Sequence, residues 1–288
     1  MKTIGDTIKE IRKMKNMKQD EFTLSQPAIS SIESSKRNVT VETLNSILAD
    51  FNLSLREFEF IRNDYQFSKS DEIFFDFTSY KNSIEIAKNR EMIDRIGAYV
   101  KKYPTNFIPY CIYVISDVYS KISVNDTYDI ESPESIYIWQ ELKKRKKWTH
   151  QEIFIMSKLF FVFPLDESLE IVGRIEIEME KYLNFYKDIH FDLTFFANLG
   201  KFYTHKNQLE LAKGYLTRAL PLSEEYDKVV VENDIYAYLA IIDYLQGNLE
   251  AEAEVLDCVQ RYYAMRKYPL AKDLESDWNT FFKDKIFS

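Results

Sequence analysis

Apolar residues recur along this chain at helical spacing almost from its first residue. Ile4, Ile8 and Ile11 stand at i, i+4 and i+7, which puts one apolar stripe on residues 3–15 and leaves Lys9, Arg12, Lys13 and Lys15 near solvent. Lys18 to Phe22 reads as a second short helix, followed by a turn at Thr23-Leu24. Ser25 is a good N-cap for a third helix, and Pro27 is tolerated in its first turn because an amide hydrogen there has no intrahelical acceptor. Thr40 caps a fourth helix carrying Leu44, Ile47, Leu48 and Phe51. Ser54-Leu55-Arg56-Glu57 reads as a capping box that opens a fifth, with Phe58 and Ile61. Residues 1–63 are therefore expected to form a first domain of five short helices.

Periodicity lapses over residues 64–70, which fit a linker, and then resumes over 71–288. Helices are expected at roughly 71–89, 90–103, 106–123, 132–146, 149–163 and 165–187. Thr149-His150-Gln151-Glu152 is a capping box, and Trp148 before it can staple onto Ile153, so Trp148 and His150 read as structural. The clearest repeat is Phe196-Ala-Asn-Leu-Gly-Lys-Phe-Tyr203, a turn at His205–Gln208, then Ala212, Leu216 and Ala219. A degenerate copy follows as Tyr236, Leu239, Ala240 and Tyr244, then Gly247-Asn248-Leu249 and Leu256.

Composition supports an all-α chain. Only six Gly and seven Pro punctuate 288 residues, against 20 Tyr and 21 Phe, which suits long helices packed on aromatic faces. The formal net charge of -8 argues against indiscriminate nucleic-acid binding. Residues 1–45, however, carry eight Lys/Arg against six Asp/Glu, so a DNA contact is expected at the front. No apolar run approaches membrane-spanning length and the first residues are amphipathic and charged, so the chain reads as cytoplasmic, with no membrane partner. Cys111 and Cys258 lie far apart in apolar runs without ligand spacing and read as buried thiols; no metal or cofactor is expected. Catalytic motifs such as G-x-S-x-G, H-E-x-x-H or a phosphate-cradling glycine loop are absent from the sequence. His150, His190 and His205 have unrelated spacings, so an enzyme is not expected.

The third helix carries the most specific candidate chemistry. A 100° step per residue puts Ile29 and Ile32 on one side and Pro27, Ser30, Ser31 and Ser34 on the other. Short side chains let such a helix sink into a major groove of double-stranded DNA, where hydroxyls and Gln26 can reach base edges. Lys36-Arg37 follows at once. The segment resembles the XRE/Cro-type helix-turn-helix: I-x-x-I-R from Ile8, Lys18-Gln19 at the second helix, I-S-x-I-E from Ile29 and L-x-x-I-L-A from Leu44. That resemblance implies that Gln19 clamps a phosphate or base and that the Gln26–Ser34 face reads the groove. It also implies that Lys36 and Arg37 hold backbone and that Glu33 pairs inward with Arg12. Two positions depart from the pattern, Ser31 where a basic residue is common and Ser35 where a glycine commonly ends the helix.

The repeats at 196–219 and 236–256 resemble tetratricopeptide units, whose first helices line a concave groove for a peptide. In that pattern Thr194, Ala197, Asn198, Lys201 and His205 face the groove, with Asp234, Tyr238 and Ile241 as equivalents in the next unit. An asparagine amide there can both donate to and accept from a ligand main chain. The joined halves resemble the Rgg/MutR/GadR regulators, relatives of the PlcR and PrgX peptide sensors. Trp148-Thr-His-Gln-Glu-Ile-Phe154 resembles that family's W-x-x-x-E-L-x-L-F stretch. The resemblance implies a homodimer on a promoter palindrome, controlled by a short signalling peptide. Docking of a protein partner on the repeats stays open, as does, more remotely, a phosphatase-like modulator of response regulators.

Overall fold

The computed structural model describes residues 2–79, 86–125, 130–185 and 190–286, and among these every regular element is a helix. Two compact units are present, Met1–Asn125 and Asp126–Ser288. The first begins with α1 (Ile4–Met14), α2 (Gln26–Glu33), α3 (Val41–Phe51) and α4 (Leu55–Arg62). The starts of α1, α3 and α4 are set by side-chain oxygens that accept otherwise orphaned amide hydrogens. Thr3 takes that of Asp6 at 3.1 Å, Thr40 that of Thr43 at 3.2 Å and Ser54 that of Glu57 at 3.1 Å. Ser25 occupies the N-cap of α2 without a side-chain cap bond, with Pro27 in the first turn.

The expected short helix over Lys18–Phe22 is instead a run of turns and bends. A five-residue helix would gain too few hydrogen bonds to offset its nucleation, and carboxylates satisfy the backbone directly. Glu21 accepts from the Lys18 amide at 2.7 Å, and Asp50 accepts from the Thr23 amide at 3.0 Å and its hydroxyl at 2.7 Å. Phe22 still enters the core formed by Ile8, Ile11, Ile29, Ile32, Ile47, Phe51 and Phe58. Close approach of α1 to α2 depends on Gly5, where a Cβ would come 2.2 Å from the Ile32 carbonyl oxygen. The unit continues with α5 (Lys69–Ser79), α6 (Ile86–Lys102) and α7 (Phe107–Asn125), so the 71–89 expectation falls partly outside the described residues.

The second unit contains α8 (Pro133–Lys143), α9 (His150–Met156), α10 (Leu165–Met179), α11 (Phe191–His205), α12 (Leu209–Glu225), α13 (Val229–Leu245), α14 (Glu252–Ala264) and α15 (Tyr268–Ile286). The capping box at α9 is present, with the Thr149 amide donating to Glu152 Oε2 at 2.6 Å. Trp148 is buried, its indole N–H donating to the Leu142 carbonyl at 2.9 Å. The expected helices over 149–163 and 165–187 end earlier, at Met156 and Met179, each followed by a 3₁₀ turn; residues 186 and 187 lie outside the described residues. Helices α11 and α12 pair as a hairpin whose turn places Asn207 at φ 55°, and α13 and α14 pair similarly around Gly247 at φ 115°. Gly200 lets α11 and α12 touch: a Cβ there would lie 2.4 Å from Leu216 Cγ. Cys111 and Cys258 are both fully buried and neither is in a disulfide.

Candidate nucleic-acid interface and helical-repeat groove

Helix α2 turns Ile29 and Ile32 into the core and leaves Gln26, Pro27, Ser30 and Ser34 exposed, with Ser31 half-buried at the margin. Ser34 Oγ donates to the Ser30 carbonyl at 2.8 Å, which keeps this face flat. Lys18, Lys36 and Arg37 are exposed beside it. Ser35 takes the left-handed conformation at φ 55°, the geometry for which glycine is the usual choice. Beneath the face, Arg12 forms a bidentate pair with Glu33, Nε to Oε1 at 2.6 Å and Nη2 to Oε2 at 3.0 Å. Gln19 joins it, donating from Nε2 to Glu33 Oε2 at 2.8 Å. Burial alone would raise the Glu33 pKa, but the bonds from Arg12 and Gln19 outweigh it and hold the carboxyl below its usual range. Gln19 thus braces the base of α2 through its side-chain amide, a role its position in the sequence did not reveal.

On α11 the row foreseen for the groove divides in two. Thr194 and Asn198 are exposed, the Thr194 hydroxyl donating to the His190 carbonyl at 3.3 Å. Ala197 is buried. Lys201 and His205 belong to a polar mesh with α13 and α15. Lys201 Nζ contacts Asp234 Oδ2 at 3.0 Å and lies 4.9 Å from the Tyr238 ring centroid. The Tyr262 hydroxyl donates to Asp234, and that of Tyr238 donates to Asp277. His205 Nε2 stands 3.4 Å from the Tyr238 hydroxyl and 3.7 Å from Asp277 Oδ1. Burial would raise Asp277, yet the bonds from His205 and Tyr238 carry it below the usual range. Asp273, one turn earlier, is raised by burial and by the neighbouring Asp277. Tyr238 is buried, and Ile241 is wholly within the core, so Ile241 offers no surface to a ligand. Asp273 and Asp277 were not among the residues expected here; their i, i+4 spacing on an amphipathic helix was the available signal.

Residues 8–58 match the family model described as helix-turn-helix. Residues 8–58 are a helix-turn-helix domain. The helix-turn-helix lies at the front of a chain whose whole length follows known structures. A protein of Listeria monocytogenes EGD-e assigned to the transcriptional regulators is 18% identical, with a TM-score of 0.73, covering 99% of this chain and 98% of that one. The SHP pheromone receptor Rgg2 of Streptococcus dysgalactiae is 11% identical, with a TM-score of 0.65, covering 96% and 99%. Bacillus thuringiensis PlcR, in complex with the peptide PapR7 and DNA, is 14% identical, with a TM-score of 0.66, covering 95% and 99%. At these identities the likeness is one of fold. The chain carries a DNA-binding helix-turn-helix domain, and its full length is folded like these proteins. Among the described residues no helix is long and apolar enough to cross a membrane.

Proposed function

We propose that this chain is a cytoplasmic, sequence-specific transcriptional regulator, active as a homodimer, whose DNA binding is controlled by a short signalling peptide held on its helical repeats. Asn198 carries the peptide reading: it is exposed on α11, and no hydrogen bond engages its amide among the described residues. Such an amide can take one donor and one acceptor from an extended main chain, which gives affinity without demanding a side-chain sequence. Thr194 and Lys201 flank it, and His205, Asp234 and Tyr238 continue the polar row. PlcR, which shares the fold, was solved with a peptide and DNA together.

At the helix-turn-helix, Gln26, Pro27, Ser30, Ser31 and Ser34 read base edges, while Lys18, Lys36 and Arg37 contact phosphates. One eight-residue recognition helix buries little area, so two copies on half-sites about one helical turn apart supply the affinity. A peptide regulates only if it favours one arrangement of the dimer over another. Selection of binders from random duplex DNA, followed by gel-shift titration, tests the reader. A palindromic site should emerge. Lys36→Ala or Arg37→Ala should weaken binding to all sequences and flatten its salt dependence, whereas Ser30→Ala should change the preferred base. Retention of no DNA above nonspecific background would overturn the DNA half. Loss of peptide binding in Asn198→Ala, read by fluorescence polarisation, tests the other half.

A further inference from the structure

Beside the polar mesh, the aromatic flank of α11 faces a segment whose lysine, Lys158, pairs with no carboxylate among the described residues. Phe154 of α9 meets Phe191 with ring centroids 6.2 Å apart, while Phe160 and Phe161 meet Phe202 at 5.2 and 6.5 Å. The segment 154–161 and helix α11 therefore run side by side in the same sense. Lys158 stands four residues beyond Phe154, and a 100° step per residue puts Asn198 on the same side of α11 as Phe191, Phe195 and Phe202. Lys158 Nζ lies 5.3 Å from the Phe154 ring centroid. Four lysines of this unit rest on carboxylates, Lys143 on Glu170, Lys181 on Glu178, Lys201 on Asp234 and Lys213 on Asp243, and Lys158 differs from the exposed lysines in being half-buried. Among the described residues no carboxylate pairs with Lys158, and burial pushes its ammonium down to about 8.

A partly desolvated ammonium without an anion carries a cost, and an arriving anion recovers part of it as a charge-assisted hydrogen bond. We propose that Lys158 anchors a carboxylate of the bound peptide where residues 154–161 run along α11, on the side that carries Asn198. This rests on the peptide reading above and adds the chemistry of the ligand. One lysine balances one negative charge, so a single carboxylate fits, from either a free C-terminus or an Asp or Glu side chain. The aromatic wall of Phe154, Phe191 and Phe202 receives apolar neighbours, and Asn198 holds the adjacent main chain.

Three pools of short synthetic peptides, uncharged apart from the stated group and carrying a neutral fluorophore, test this by fluorescence polarisation on the full chain. One pool ends in a free carboxylate, one in an amide, and one in an amide with a single internal Asp. At least one carboxylate pool should bind about tenfold tighter than the neutral pool, the value of one charge-assisted contact. Which pool gains identifies the source of the carboxylate. Lys158→Met should erase the preference and Lys158→Arg should retain it; Lys158→Gln replaces the Met variant if circular dichroism shows that variant unfolded. Equal binding of neutral and anionic pools, or a preference that survives loss of the charge, overturns the assignment of Lys158 and leaves the peptide reading standing. Binding of no pool overturns both.

Discussion

The helix-turn-helix and the inner face of the repeats solve opposite problems with similar residues. On α2 the outward side chains are short, exposed and mostly uncommitted, and the bonding is beneath them, where Arg12, Glu33 and Gln19 lock the helix to its base. On α11, α13 and α15 the bonding joins the half-buried side chains themselves, where Lys201, His205, Asp234 and Asp277 bond around the buried Tyr238. A rigid platform suits a ligand of fixed shape such as duplex DNA. A mesh of polar groups can exchange partners when a ligand arrives.

Removing the brace beneath α2 should have the largest effect. Glu33 is 5% exposed and faces Arg12, so Glu33→Ala leaves a largely buried guanidinium uncompensated, at a cost of about 3–5 kcal/mol. DNA binding should be lost while peptide binding persists, with unfolding followed by segment-resolved hydrogen exchange. Should the repeat segments 191–286 lose protection equally, the two regions are not independent. Next come the two close approaches. Gly5→Ala drives a Cβ into a backbone carbonyl and should cost the helix-turn-helix about 1–3 kcal/mol or more; Gly200→Ala meets only the Leu216 side chain, which can shift, and should cost the repeats less.

Acid should separate the regions more gently. Glu33 has a depressed pKa in the folded state, so its contribution is present above the usual carboxylate range and is lost as pH falls through its folded value. Asp277 behaves the same way, but Asp273 is raised, and protonating it relieves a repulsion. Between about pH 5 and pH 3 the helix-turn-helix should therefore lose more exchange protection than the segment around α15. The smallest effect is a gain. Ser35→Gly relieves a left-handed serine and should stabilise the domain by about 0.5 kcal/mol, offset in part by loss of the 3.3 Å Thr3–Ser35 contact. A rise in melting temperature of the helix-turn-helix checks it.

Much of this was legible in the chain. The apolar spacing of Ile4, Ile8 and Ile11 and the capping residues Thr40, Ser54 and Thr149 located helix starts because those signals are local. Lys18–Phe22 misled for a physical reason: its polar groups bond to Glu21 and to the distant Asp50, a partner that spacing does not disclose. The row expected on α11 could be written from its spacing, but not which of its side chains are already bonded. Tyr238 and Ile241 turn inward because α13 packs between α12 and α14, and Asp277 arrives from a helix far along the sequence. Lys158 carried no motif at all; what marks it is partial burial against Phe154 with no carboxylate beside it among the described residues.

Burial of both thiols has a practical side. Cys111 is fully enclosed, and Cys258 is enclosed with its pKa pushed up to about 11. Neither offers an accessible thiolate at neutral pH. A cysteine introduced at Ser34, on the exposed face of α2, or at Lys206, past the end of α11, would then be the fastest site for a maleimide dye. The native chain supplies its own silent background, so paired dyes at those positions could follow in solution whether the separation of α2 and α11 changes when a peptide is added.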